Sequence, residues 1–512
     1  MIKIKPRAVV TKACIVAELA LAEPAGAGSI IYVDDDAATG GDGLSWATPY
    51  KYLQDALSEA AGEPGVTQIR VAAGTHYPDL DERGQLSPGD RTATFQLRNN
   101  LTISGGYRGC VGGNCGRGDP DERDINLYES ILNGDVNGDD SGPPDDLSHA
   151  DNSYHVVTVS GGDSRAILDG FTIAGGNANG PSPHNHGGGM LSTGSGSPTV
   201  THCTFRGNAA DAGGGMYNDG GSATLTNCTF SGNVASFGGG VLNNGSTASF
   251  DNCILSHNTA GSIGGGMYNF SSNSTLTNCT FQKNSAANGG GIFNQDSEPI
   301  LTNCVLWGDS PDAILSGATS TATVTFSCVQ DAAPGDGVVY PGQRNIDDDP
   351  LFAPGPLGCL YLGQTASGKP MDSPCVDAGS DAAAVLGLDG LTTRSDEAVD
   401  AGVVDMGYHY PVSGRPLAMG DFDRSGEVDL VDAGALLICF SGIGPTELSP
   451  CCRIFDFEPD HDVDLADYAV FAVLLRERLT IFPSVASSLG PRSGPTSLLF
   501  PKSLRVVVRN LR

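Results

Sequence analysis

Positive charge is scarce in this chain. Its 512 residues include 28 Lys and Arg against 59 Asp and Glu, for a net charge of −31. Phosphate recognition needs clustered Lys and Arg, so this balance argues against a nucleic-acid partner. Long apolar runs are also lacking: no stretch of about 18 apolar residues is present, so no transmembrane helix is expected. Charged residues of both signs together reach only 17%, whereas Gly is the commonest residue at 71. Strong acidity of this kind suits solubility, divalent cations or a basic partner. Helical periodicity is missing from the middle of the chain, where glycines recur in threes, and each would cost a helix about 1 kcal/mol.

Repetition fills that middle. "HCTFRGNAADAGGGMYN", "NCTFSGNVASFGGGVLNN", "NCILSHNTAGSIGGGMYN" and "NCTFQKNSAANGGGIFN" are four copies of one unit between positions 202 and 294. Six of the 14 cysteines (Cys203, Cys228, Cys253, Cys279, Cys304, Cys328) recur at intervals of 25, 25, 26, 25 and 24. A repeating unit explains them better than bridges do. Cys110 with Cys115, Cys359 with Cys375, and Cys439 with Cys451 or Cys452 are the candidate disulfides.

Aligned copies show further columns. Phe205, Phe230, Leu255 and Phe281 follow each Cys by two residues, and Asn208, Asn233, Asn258 and Asn284 come three later. Gly triplets precede Met190, Met216, Val241, Met267 and Ile292, and Asn218, Asn243, Asn269 and Asn294 close the motif. Cys228 and Phe230 lie two apart, on one face of a strand, whereas Leu225 sits three before Cys228, so the alternation slips at Asn227. Asn tolerates left-handed backbone and turns a strand through a corner, and the Gly triplet makes a second corner. Short strands joined by corners every 25 residues describe coils of a parallel β-helix, with equivalent residues stacked about 4.8 Å apart. Leucine-rich repeats share the period but need an L-x-x-L-x-L signature that is absent, and calcium-binding nonapeptide repeats have the wrong period.

The pairing of "FxxN" with "GGG[MVI]" resembles the repeats of the polymorphic outer-membrane protein family, within the pectin-lyase-like right-handed β-helix superfamily. That similarity covers residues 187–304. "GDGLSWATPYKYLQDAL", "QIRVAAGTHYPD", "LDGFTI" and "DDDPLF…SPCVDAG…VDMGYHY" resemble flanking segments of exported β-helix proteins. The reading is a mainly β chain: a right-handed parallel β-helix with caps over 29–412. Thr48 and Pro49 are expected to open a capping helix whose apolar face is Tyr50, Leu53, Ala56 and Leu57. The stretch 345–410 is expected to close the other end. Lys3, Lys5, Arg7 and Lys12 precede a short apolar stretch and "AGAG", so 1–28 reads as a signal peptide, and the protein as secreted or on the cell surface.

Catalytic constellations are thin. Between 187 and 304 the acids are Asp211, Asp219, Asp251, Asp296 and Glu298, in different columns, and the strong bases are Arg206 and Lys283. Glycoside hydrolysis wants two carboxylates at a defined separation. His184, His186 and His202 suggest a metal, but solvated turn residues are the plainer reading. Asp169 in "LDGF" is a catalytic candidate, but Asp-Gly before a strand is more plainly a turn. Asp135, Asn137 and Asp139 mimic the start of a calcium loop in which Asp140 replaces the turn Gly, and a solvated loop is the plainer reading. The column Leu191, Tyr217, Leu242, Tyr268 and Phe293 is either a sugar-stacking stripe or packing.

The strongest chemistry lies beyond the repeats. "DFDRSGEVDLVD" places Asp421, Asp423, Ser425, Glu427, Asp429 and Asp432 at positions 1, 3, 5, 7, 9 and 12 of an EF-hand-type loop, with Gly426 at the turn. "DFEPDHDVDLAD" repeats the register with Asp456, Glu458, Asp460, Asp462, Asp464 and Asp467, though His461 replaces the turn Gly. Such crowded acids repel one another unless a cation is bound, so two calcium ions are expected. Each loop is followed by a helical pattern, which makes 417–478 a small α-helical module resembling a type I dockerin. That resemblance implies calcium-dependent folding and a cohesin-like or cell-envelope partner. Residues 479–512 form a basic tail. Two function classes stay open: a surface or adhesin-like scaffold attached through the module, or a polysaccharide-degrading lyase or glycoside hydrolase delivered by it.

Overall fold

The computed structural model describes residues 28–412, apart from 111–114, 116–117, 141–143, 145–146, 162–164, 195 and 331–339. The signal peptide, the calcium loops and the Cys439 pairing therefore lie outside the described residues. The coil that starts at Thr224 shows how sequence becomes shape. Thr224–Thr226 is a strand, and Asn227 turns the chain at φ 54°. Thr229–Ser231 follows on a second face, Val234–Phe237 on a third, and Val241–Asn244 closes the turn. Each strand pairs in parallel with its equivalent one coil later, as Thr224–Thr226 does with Ser249–Asp251. Stacking builds parallel sheets of 11, 9, 8 and 4 strands around one core, which is a parallel β-helix.

The Gly triplet is required by crowding as well as by conformation. Gly238 sits at φ +63°, and a Cβ on Gly239 would lie 2.5 Å from the Thr259 carbonyl oxygen of the next coil. Leu225, Cys228, Phe230 and Val241 of this coil are fully buried, so the slip at Asn227 keeps both flanking strands facing inward. Phe205 and Phe230 stack with ring centroids 4.6 Å apart. Asn208, Asn233, Asn258 and Asn284 are also fully buried, and each of the first three gives Nδ2–H to the next Oδ1 at 3.0 Å. Asn218, Asn243, Asn269 and Asn294 form a second such ladder at 2.9–3.0 Å. A buried amide is costly unless paired, and here each copy pairs its neighbour.

Three expectations need correction. The N-terminal helix runs Leu53–Gly62, with Tyr52 at its N-cap, so Thr48 and Pro49 do not open it. Thr48 instead donates to Asp42, and Tyr50 bridges to Val33. Leu53, Ala56 and Leu57 do cover the first coils. The second correction concerns Cys328, which leaves the inner cysteine column. It pairs with Val305, not Cys304, and so faces outward, because a one-residue slip exchanges the faces of a strand. Ser327 stands beside Cys304 instead, its hydroxyl accepting the Cys304 N–H. Finally, Cys110–Cys115 is made, but Cys359–Cys375 is not: Cys375 is a free buried thiol and Cys359 is in a different disulfide.

The stretch 345–410 does more than close the end. Ile346 bridges to Cys328 on the final coil, and the chain then runs back along the flank of the β-helix. Gly407 N–H donates to Asn303 O, Tyr408 N–H to Thr280 Oγ1 and His409 N–H to Asn252 Oδ1. Within this segment His409 Nε2 lies 2.9 Å from Asp400 Oδ2, both buried. Asp405 beside them is pushed up to about 6 by burial, with Asp400 adding to the shift.

Thiols in the inner column are expected to be inert, since burial raises Cys253, Cys279 and Cys304 well above the usual thiol range. Rapid alkylation of Cys228, Cys253, Cys279 or Cys304 in the native protein would contradict this packing. Phe230→Ala should leave a cavity costing about 3–5 kcal/mol, read by local hydrogen exchange around residues 205–255.

Asp309 ends the first Asn ladder, accepting Asn284 N–H and Nδ2–H at 2.8 Å while its other oxygen is buried without a partner. Burial pushes its pKa up to about 7. A carboxyl raised above its unfolded value stabilises the fold fully at low pH and loses that contribution as pH climbs through about 7. Asp309→Asn should therefore gain on the order of a few kcal/mol above that pH and little at pH 4, measured by urea unfolding at both.

Candidate functional site

The returning segment leaves part of the second sheet uncovered, and a groove of about 510 Å³ lies between them. One wall carries outward residues of successive coils: Thr204, Thr229, Ser231, Ser256 and Gln282, with His257 at a corner. These face out because Phe205, Phe230 and Leu255 between them face in. The other wall is Leu357–Leu360, Leu391, Tyr408 and Tyr410. Tyr410 is fixed by stacking on Tyr361 at 4.0 Å and by accepting the Leu360 N–H. Ile254, Leu360, Tyr361, Tyr408 and Tyr410 pack as one cluster at its floor.

At the groove's mouth lies a charged corner. His202 occupies the corner column otherwise filled by Asn227, Asn252, Asn278 and Asn303, all in left-handed backbone. Its Nδ1 sits 2.9 Å from Asp169 Oδ1, and its Nε2 lies 3.2 Å from Asn227 Nδ2. Asp169 also accepts Thr201 Oγ1–H at 2.9 Å and pairs with Arg123 at 2.8 Å. Burial alone would raise Asp169, but His202, Arg123 and Thr201 together hold it below the usual carboxylate range. The chain of contacts continues from Asn227 to Asn252 at 2.7 Å and on to the His409 carbonyl. Asp169 is thus more than a turn residue: it anchors the first rung of a corner ladder.

The structure disperses the other candidates. His184 Nδ1 faces His155 Nε2 at 3.3 Å, and His186 stacks on Tyr217 at 4.5 Å. With His202 on Asp169, the three histidines do not converge on a metal. His155 is lowered to about 4 by burial. Asp135, Asp139 and Asp140 do approach within 4.8 Å of one another. Protein donors already serve them: Asp135 accepts the N–H groups of Gly138, Asp139 and Asp140, and Asp140 meets His149 and Asn152. Asn137 instead donates to Asp151. The column Leu191, Tyr217, Leu242, Tyr268 and Phe293 faces away from the core but is largely covered, packing with Ala212 and Ile263. Packing is its fate. Asp219 and Asp296 are engaged by Asn244 and Thr319, and Arg206 pairs with Glu129. The twelve calcium-loop residues, Asp421 to Asp467, lie outside the described residues.

Sequence reasoning missed the groove's second wall. Tyr408 and Tyr410 lie in the "VDMGYHY" stretch, far along the chain from the coils they face (Tyr408 meets Thr280, 128 residues away), and no periodicity connects the two. Arg123 carried no signal either.

Comparison with known proteins agrees with this architecture. A family model described as the right handed beta helix region matches residues 148–306 and 217–349. No curated protein matches the chain. Among solved structures, the pectate lyase Pel9A is 14% identical, with a TM-score of 0.39, covering 75% of this chain and 98% of its own. A pectin methylesterase from Aspergillus niger is 16% identical, with a TM-score of 0.32, covering 63% and 86%. The fold is a right-handed parallel β-helix.

If His202 serves the corner ladder, the column's own residue should replace it. His202→Asn is expected to keep stability within about 0.5 kcal/mol, while His202→Ala costs roughly 1–2 kcal/mol, compared by urea denaturation. Equal losses in both variants would mean that the imidazole does something Asn cannot.

Proposed function

We propose that this chain is an exported surface scaffold whose β-helix offers the groove to a neutral polysaccharide and is attached through its C-terminal module. One observation carries the reading. Among the described residues the groove is lined by hydroxyls, amides and imidazoles beside Ile125, Ile254, Leu357, Leu360 and Leu391 and the largely buried Tyr408 and Tyr410, with no carboxylate, lysine or arginine in contact with it. Neutral donors and acceptors beside apolar side chains suit a sugar's hydroxyls and C–H faces. Hydrolysis by paired carboxylates would need acids that this lining lacks.

A second reading, a polysaccharide-degrading lyase or glycoside hydrolase, draws its support from the Asp169–His202 pair. Asp169 holds His202 Nδ1, which leaves the Nε2 lone pair, now accepting Asn227 Nδ2–H, as the basic site that would have to exchange that donor for a substrate proton at the groove's mouth. The purified protein tested on neutral and acidic polysaccharides separates the two. Binding without cleavage supports the scaffold, and robust chain cleavage that is lost in His202→Asn would replace it with the enzyme.

Attachment rests on the duplicated acidic register. Asp421, Asp423, Ser425, Glu427, Asp429 and Asp432 would hold one calcium, and Asp456, Glu458, Asp460, Asp462, Asp464 and Asp467 a second. Bound metal supplies the folding free energy of such small modules, whereas the β-helix ladders need no ion. Chelation should remove helical circular dichroism while the β signal persists, and Asp421→Ala with Asp456→Ala should abolish the calcium response. A helical signal indifferent to calcium would rule out the dockerin-like attachment to a cohesin-like or envelope partner.

A further inference from the structure

We propose that Cys328 and Cys375, both free thiols in the structure, oxidise to a disulfide that fastens the returning segment to the end of the β-helix. The first ground is the slip described above. The coil after Cys304 takes 23 residues, so Ser327 occupies the inner position beside Cys304 and Cys328 falls one residue past it. Shifted by one residue, it stands on the outer face beside Val305, where no other cysteine of the repeat lies. The returning segment brings Cys375 to the same place. Both side chains are fully buried in one cluster with Val305, Leu362 and Met406, where Cys328 Sγ donates to the Asp348 carbonyl oxygen at 3.2 Å.

The inner cysteines make an instructive contrast. Cys228, Cys253, Cys279 and Cys304 each point a thiol at backbone carbonyls of their own and the preceding coil, 3.3–3.6 Å away. They line a continuous column that packs without any covalent bond. Cys328 and Cys375 belong to segments 47 positions apart that meet only when the flank is covered. The same chain already contains disulfide chemistry, in Cys110–Cys115 and at Cys359. The oxidant that makes those bonds is available to a third pair.

The step balances as thiol–disulfide exchange with a disulfide-bearing oxidant. One thiolate attacks the oxidant, giving a mixed disulfide. The second thiolate then displaces it, so two protons leave the cysteines and two electrons reduce the oxidant to a dithiol. Hydrogen bonding to Cys375 and burial hold the Cys328 thiol well above the usual range. Exchange at the docked pair is therefore slow, which places bond formation before complete burial and shields the bond from reductant afterwards. A repeat array opens from its ends, and this bond clamps the last coils against that opening.

The test is a peptide map of the full-length protein, purified without reductant, unfolded with excess alkylating reagent and digested. A linked peptide pair containing Cys328 and Cys375 is expected. Alkylation of both, or linkage of either to another cysteine, would overturn the proposal. Cys328→Ser, Cys375→Ser and the double variant should each lower the thermal midpoint by the same few degrees, and reductant present during heating, which also opens Cys110–Cys115 and the Cys359 bridge, should lower the wild type by that much more than it lowers the variants. Additive losses would mean that the two thiols merely pack.

Discussion

Direct stacking of each residue on its counterpart is the constraint from which the rest of this molecule follows. Once Thr224–Thr226 pairs in register with Ser249–Asp251, every inward or outward choice in one coil is imposed on the next. A column must then be filled by residues that tolerate their own kind as neighbours. Phe on Phe gains stacking, and Asn on Asn satisfies both amide ends without water. Gly on Gly is obligatory at the triplet, because coil backbones approach too closely there for any Cβ. A charged column would repel itself, so no column of the array is charged along its whole length. His202, Asp309 and Asp169 interrupt their columns, and each stands at the start or end of a ladder.

That logic explains what was legible. The repeat unit, its corners at Asn227 and the Gly triplet, and the burial of Cys228, Phe230 and Asn233 could all be read because periodicity makes a local pattern report a global contact. Beyond the repeats the same reasoning loses its footing. Thr48 and Pro49 look like a helix start, yet Asp42 competes for the Thr48 hydroxyl and Tyr50 is drawn into a bridge with Val33, so the helix waits until Leu53. Cys328 looked like a sixth copy because 24 is close to 25. A single residue is the whole difference between the two faces of a strand, and spacing alone does not report it: the 26-residue step from Cys253 to Cys279 keeps the column because an irregularity at Thr259–Ile263 absorbs the extra residue.

The groove was illegible for a different reason. One of its walls is periodic and the other is not, and the two meet through backbone groups: Asn303 O, Asn252 Oδ1 and Thr280 Oγ1 receive the N–H groups of Gly407, His409 and Tyr408. Corner Asn residues thereby do two jobs. Along the array they hold one another, and on the last coils they present unused acceptors to a passing chain. Nothing in their spacing distinguishes the two uses.

The division of labour between array and flank bears on function. Repeats alone give flat faces with one residue type per column, which bind weakly and without selectivity. A bounded recess appears only where a non-repeating segment crosses that face and adds rings at fixed positions, as Tyr408 and Tyr410 do over Ile254. The two tyrosines are held from below by their own cluster and from the side by Tyr361, so the recess is formed without a ligand. Preformed shape lowers the ordering cost of binding, and the rigidity comes from the array beneath. The columns provide the floor, and the returning chain turns part of it into a recess.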